Sequence, residues 1–265
     1  MHSRFVTSDS VNLHYELEGP ADADVVCFSH CFGSNLHYWD CHMAAVAGYR
    51  VLRYDARGHG LSDCPAGPYS LDRMALDVVE LLDYLSLQQA HFVGVSMGGM
   101  VAQVLALEHA SRLLSLTLAN SPCHYSVAQV ALWHERAEQV LKEGVESVKP
   151  ALMQRWFTQY AADHRIPGYA FIDQAFSDFP AQSFASATAA VSAINTTDQL
   201  HNINLPTLLF GSKDDPGVPI EVTEYMVEQI QGSQVHWLSP GRHLASLEQV
   251  ESFNQWLKQF LDKQS

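Results

Sequence analysis

The stretch Ala90-His91-Phe92-Val93, Gly94-Val95-Ser96-Met97-Gly98 and Met100-Val101-Ala102-Gln103-Val104-Leu105-Ala106-Leu107 runs from a short apolar strand, through a Gly-x-Ser-x-Gly turn, into a helix that reads as buried. A serine at the tip of such a turn sits on strained backbone, and the residues two before and two after it approach so closely that both are best as glycine. The strain lifts the hydroxyl clear of the sheet. The same turn leaves the Met97 N–H at a helix N-terminus, where a free amide and the helix dipole favour a developing negative charge. Ser96 is therefore the candidate nucleophile, and Met97 the candidate for one backbone donor to an oxyanion.

A serine nucleophile at neutral pH needs a base to take its proton and a carboxylate to orient that base. For a strand-turn-helix serine the expected chain order is Ser, acid, His. His243, in Leu238-Ser239-Pro240-Gly241-Arg242-His243-Leu244, falls after the last expected strand and before the last helix, and of the 14 histidines it alone is so placed downstream. For the acid, two adjacent residues compete after the strand Pro206–Gly211. The spacing Gly211-x-x-Asp214 favours Asp214. The Pro-bounded turn Asp215-Pro216-Gly217-Val218-Pro219 and the distance from Pro206 favour Asp215, which is taken as the acid. A second oxyanion donor is expected from the loop after the strand ending at Ser29, where the residue two positions past His30 is Phe32.

Outward from this centre, Arg4–Thr7 and Val11–Leu17 alternate around Ser8-Asp9-Ser10 as an opening hairpin. Val25–Ser29, Tyr49–Tyr54 and Leu113–Asn120 read as further strands, with a loop from His30 entering a helix through Trp39. The helix from about Asp72 to Leu85 places Met74, Val78, Leu81, Leu82 and Leu85 on one face. Strands separated by helices of this length imply a mostly parallel central sheet flanked by helices. From Pro122 to Leu205 the rhythm changes to helices without intervening strands, which predicts a helical cap over residues 122–205 inserted into a core of residues 1–121 and 206–265. The sheet pattern resumes at Pro206–Gly211 and Val235–Leu238, and a closing helix carries Val250, Phe253, Leu257 and Phe260 on one stripe.

With 265 residues and 47% hydrophobic content the chain can bury one large core. It contains no run approaching the roughly 18 apolar residues of a membrane span, and Met1–Ser10 lacks the apolar centre of a secretion signal. Five cysteines without paired spacing fit a reducing compartment, so a soluble cytoplasmic protein with no membrane partner is expected. A net charge of −14 argues against a nucleic-acid partner. It also means that an anionic substrate needs a local basic group. Arg136 and Arg155 offer guanidinium groups suited to a carboxylate, with Arg136 preferred. Trp133 and Trp156 are expected as pocket walls. Cys123-His124 finds no second ligand pair and no HExxH is present, so neither a metal nor another cofactor is expected.

These residues together give the chain a resemblance to the α/β-hydrolase fold superfamily over nearly its whole length. Within it the sequence looks most like the 3-oxoadipate enol-lactonase-like group. Val51-Leu52-Arg53-Tyr54-Asp55-Ala56-Arg57-Gly58-His59-Gly60 and Pro65-Ala66-Gly67-Pro68-Tyr69-Ser70 resemble that group's segments after the third strand. Trp133-His134-Glu135-Arg136 and Arg155-Trp156-Phe157-Thr158 resemble its cap. The resemblance implies a serine hydrolase that cleaves a small carboxylic ester or lactone, and the register of Pro206–Pro219 in such relatives points to Asp215. One departure stands at the oxyanion loop, where many members have His-Gly and this chain has His30-Cys31. Similar sequences also include C–C bond hydrolases, perhydrolases and cofactor-free oxygenases, and a ligand-binding receptor can keep the same fold. Fold by itself does not choose among them.

Overall fold

The apolar runs form one eight-stranded sheet in the computed structural model, which describes residues 3–264. Met1, His2 and Ser265, at the outer ends of the expected core segments 1–121 and 206–265, lie outside the described residues. The strands are β1 (Ser3–Val6), β2 (Asn12–Glu18), β3 (Val25–Ser29), β4 (Arg50–Tyr54), β5 (Ala90–Val95), β6 (Leu113–Ala119), β7 (Thr207–Gly211) and β8 (Gln234–Trp237). Their spatial order is β1-β2-β4-β3-β5-β6-β7-β8. The opening hairpin pairs β1 with β2, and β2 with β4, antiparallel. The remaining pairs are parallel. Every residue of β3, β5 and β7 is buried, because helices cover both faces of a parallel sheet; this is why these strands read as apolar runs without alternation.

Helix α1 (Leu71–Tyr84) starts where the Ser70 hydroxyl accepts the Arg73 N–H at 3.1 Å, and it turns Met74, Val78, Leu81 and Leu82 inward. Helix α2 (Met97–Glu108) begins directly after Ser96 and is buried from Met97 to Ala106. The segment after β3 departs from expectation. It winds as a 3-10 helix over Leu36–Val46 and continues well past Trp39. The cause is visible in the spacing: Leu36, Trp39, His42 and Ala45 recur every third residue and are all buried, which suits a helix of three residues per turn.

Between β6 and β7 the chain forms α3 (Val127–Glu143), α4 (Lys149–Trp156), α5 (Gln159–Asp163), α6 (Pro167–Ser177) and α7 (Ala181–Ser192), with α3 packed along α7. Helix α8 (Ile220–Gln229) links β7 to β8, and α9 (Ala245–Glu248) and α10 (Val250–Leu261) follow. Phe253, Leu257 and Phe260 of α10 are buried, as the stripe predicts. Because β3, β5, β6, β7 and β8 run parallel, the loops at their C-terminal ends gather along one edge of the sheet, the usual place for a ligand in an open α/β sheet. Those loops carry Phe32, Ser96, Asn120, Asp215 and His243.

Candidate active site

Ser96 occupies the turn between β5 and α2 with φ 51° and ψ −111°, a left-handed conformation that is rare for a side-chain-bearing residue. Two glycines make that turn possible. A Cβ on Gly94 would collide with the Gly98 carbonyl, and a Cβ on Gly98 would collide with the carbonyl of Ser29 at the end of β3. The second approach matters for the site, since it draws the β3 loop over the serine turn.

Ser96 Oγ lies 2.8 Å from His243 Nε2, and His243 Nδ1 lies 2.9 Å from Asp215 Oδ2. A carboxylate only accepts, so His243 Nδ1 bears the proton and Nε2 is left to accept from the serine hydroxyl. Asp215 is buried, and Asp214 is exposed. Burial opposes ionisation of Asp215, but the His243 ring, the Asn120 amide at 3.0 Å and the Gly217 N–H at 2.6 Å hold its carboxyl below the usual range. The structure thus brings Ser96, His243 and Asp215 into one hydrogen-bonded line and leaves Asp214 outside it.

The loop after β3 is pinned by His30. Its Nε2 accepts the Ala56 N–H at 3.0 Å, so its Nδ1 donates to the Cys31 carbonyl at 2.8 Å. Burial lowers the pKa of His30 and keeps it in the neutral form this pattern requires. Cys31 and Phe32 line a chamber with Ser96, Trp133, Trp156 and His243. Burial pushes the Cys31 thiol up to about 12, so it is not a thiolate rival to the serine. Met97 follows Ser96 as the first residue of α2, where no preceding turn of helix supplies a carbonyl for its N–H.

The chamber is small, about 10 Å³, and a second space of about 20 Å³ adjoins it. Trp133, Trp156 and His243 line both spaces, and Arg136 and Arg155 line the second. The two arginines differ. Arg155 donates to the Pro216 carbonyl at 2.6 Å and so is engaged with the loop that carries Asp215. The Arg136 guanidinium lies 5.7 Å over the Trp133 ring and has no hydrogen-bond or ion-pair partner among the described residues. Burial, and then the charge of Arg155, lower its pKa.

A family model described as alpha/beta hydrolase fold matches residues 24–250. The chain belongs to the α/β-hydrolase fold family. It is 33% identical over 264 residues to 3-oxoadipate enol-lactonase 1 of Acinetobacter baylyi, covering 98% of this chain and 97% of that one. It is 32% identical to a putative carbamate hydrolase of Variovorax paradoxus, with 96% and 97% covered. The crystal structure of the enol-lactonase from Burkholderia xenovorans LB400 superposes with a TM-score of 0.93 at 28% identity, covering 98% of this chain and all of that one. These relatives make this α/β-hydrolase an enzyme, and the resemblance drawn from its motifs falls in the same group.

Three residues of this α/β-hydrolase escaped the sequence reading. Asn120, at the end of β6, adopts φ 44° and donates to Asp215 Oδ2 and, at 3.4 Å, to the Arg242 carbonyl. Its signal was faint: an asparagine, tolerant of left-handed backbone, closing the strand beside the serine turn. Ser121 donates to the Ser96 carbonyl at 2.9 Å and braces the turn from below. Glu248 accepts the Arg242 N–H at 2.9 Å and the Thr158 N–H at 3.0 Å, while the Leu244 N–H meets the Trp156 carbonyl at 3.0 Å. These bonds tie the loop bearing His243 to the end of α4. The Thr158–Glu248 and Leu244–Trp156 bonds join residues some 90 positions apart, so no local pattern announces them. No helix among the described residues is long and apolar enough to cross a membrane.

Proposed function

We propose that this α/β-hydrolase cleaves a small carboxylic ester or lactone through a Ser96-His243-Asp215 triad. The single observation that carries the reading is the 2.8 Å and 2.9 Å hydrogen-bonded line from the Ser96 hydroxyl through His243 to Asp215. His243 Nε2 takes the hydroxyl proton as Oγ attacks the carbonyl carbon. The N–H groups of Phe32 and Met97 receive the oxyanion. The tetrahedral intermediate collapses, the C–O bond to the leaving oxygen breaks, and His243 returns the proton to that oxygen. In a lactone the leaving oxygen stays tethered to the acyl chain. A water molecule, deprotonated by His243, then attacks the acyl-enzyme and restores Ser96.

On this reading the helical segment 122–205 is a cap that excludes water, with Trp133 and Trp156 as the walls that yield to admit substrate. Arg136, without a hydrogen-bond or ion-pair partner among the described residues and lining the space next to the serine chamber, is the group that holds a substrate carboxylate. The enol-lactonase names among the relatives support a lactone, and the carbamate hydrolase name among them supports testing the related carbamate carbonyl. The five cysteines, all free, support a cytoplasmic setting.

The test couples covalent labelling with a substrate panel. A fluorophosphonate should label Ser96, located by mass spectrometry, and Ser96→Ala should lower turnover of an activated ester at least about a thousandfold, since triad members act as a unit. Enol-lactones, simple esters, carbamates and a vinylogous diketone assayed in parallel identify the bond cleaved. Undiminished turnover by clean Ser96→Ala enzyme would overturn the mechanism.

A further inference from the structure

A backbone donor cannot be tuned through its own side-chain chemistry. Its position is set by whatever fixes the loop around it. On one side of Phe32 the loop is fixed by the His30 bond to the Cys31 carbonyl. On the other side the restraint comes from the helical segment between β6 and β7. The Phe32 ring meets Trp133 at 5.2 Å, Phe179 edge-on at 5.3 Å and Phe184 edge-on at 4.9 Å between centroids. His59 completes the enclosure from the sheet side, edge-on to Phe32 at 6.0 Å and stacked on Phe179 at 4.5 Å. The next residue, Gly33, has φ 70°, and a Cβ there would lie 2.5 Å from the Phe176 ring. Phe32, Phe176, Phe179 and Phe184 are all buried.

We infer that Phe179 and Phe184 are positioning residues: by gripping the Phe32 ring they hold the Phe32 N–H where the oxyanion forms. The inference rests on the proposed role of that N–H. Edge-to-face aromatic pairs are directional, and a close-packed cluster resists continuous deformation, so the grip defines one loop position. That position matters because an oxyanion donor acts over a narrow range of distances, and a misplacement of about 1 Å can cost roughly a hundredfold in rate. The cap segment thereby completes the catalytic machinery as well as walling the substrate.

The experiment uses Phe184→Leu and Phe179→Leu in the full chain, each checked for folding by circular dichroism and thermal melting. Phe184 is fully buried and Phe179 is 5% exposed, so Phe179→Leu carries the test if Phe184→Leu does not fold. Both are assayed on a matched ester and thionoester. Sulfur is a larger and poorer acceptor, so a well-placed pair of donors discriminates against it. The expected result is a fall in kcat on the ester of about tenfold with KM within about twofold. The preference for ester over thionoester should fall by the same factor. Aromatics that merely wall the pocket would raise KM and leave that preference at the wild-type value, and this result overturns the inference. A wild-type enzyme with no ester preference would refute the donor role of Phe32 itself, a failure distinct from that of the grip.

Discussion

Asp215→Asn is the substitution whose effect the geometry defines most sharply. Three donors converge on the Asp215 carboxylate: His243 Nδ1 at 2.9 Å and Asn120 Nδ2 at 3.0 Å on Oδ2, and the Gly217 N–H at 2.6 Å on Oδ1. An asparagine offers one accepting oxygen and one donating NH2. If the oxygen faces Gly217, the NH2 points at His243 and the imidazole must move its proton to Nε2, where it can no longer accept from Ser96. If the oxygen faces His243, a buried N–H of Gly217 confronts another donor, at a cost of about 1–3 kcal/mol. The second arrangement also removes the negative charge that stabilises the imidazolium. In the first arrangement the serine loses its base, in the second the base loses its charge stabilisation, and a loss of about 10⁴ in kcat is expected for such a change. At about 1.4 kcal/mol per decade this is roughly 5–6 kcal/mol of barrier. Asp214→Asn, at an exposed neighbour, should stay within about twofold of wild type. The assay is steady-state hydrolysis of an activated ester, normalised by fluorophosphonate titration of active sites. Activity of Asp215→Asn within tenfold of wild type, or equal damage from Asp214→Asn, would refute the reasoning.

Arg136→Met should raise KM for a carboxylate-bearing lactone by about tenfold or more while leaving a neutral ester within about twofold, because a charged hydrogen bond is worth about 1.5–3 kcal/mol; equal effects on both substrates would argue that Arg136 serves only the Trp133 stack. His42 supplies a pH test of stability. Burial pushes its pKa down to about 4, while its Nδ1 donates to Asn254 Oδ1 at 2.7 Å. Between about pH 6.5 and 4 the unfolded chain therefore binds a proton that the folded chain refuses, so stability falls as pH drops through that window, by about 3 kcal/mol for this group. In urea unfolding from pH 7 to 4, His42→Gln should lose up to one proton's worth of this slope, and an unchanged slope would count against the assignment. Asp215 acts lower on the scale. Its depressed pKa contributes stability that is complete above about pH 4 and disappears as pH falls through the folded value, so the stability gap between wild type and Asp215→Asn should close below pH 4.

The serine turn was legible because its requirements are local. The collisions that exclude a Cβ at Gly94 and the backbone that strains Ser96 arise within a few residues, so the spacing of glycines records them directly. The strands covered on both faces were legible for a similar reason, since burial of every position leaves an uninterrupted apolar run. The 3-10 winding of Leu36–Val46 was missed although its period of three is written in the chain, because the expectation there was simply a helix.

By itself the sequence determined the architecture, with a mostly parallel sheet, a strained serine between strand and helix and a run of helices between β6 and β7, and it pointed to a downstream acid and histidine in the order a serine site needs. It favoured Asp215 over Asp214 only through the spacing of a Pro-bounded turn, because both follow the same strand, whereas the packed fold buries Asp215 against His243 and leaves Asp214 exposed. Nor could it mark Asn120 as a further partner of that carboxylate, show Arg155 engaged with the Pro216 carbonyl, or reveal four rings of the segment between β6 and β7 around the loop at Phe32 and Gly33. Those assignments depend on contacts between segments far apart in the chain, whose distances and directions exist only once the sheet has brought its loops to one edge.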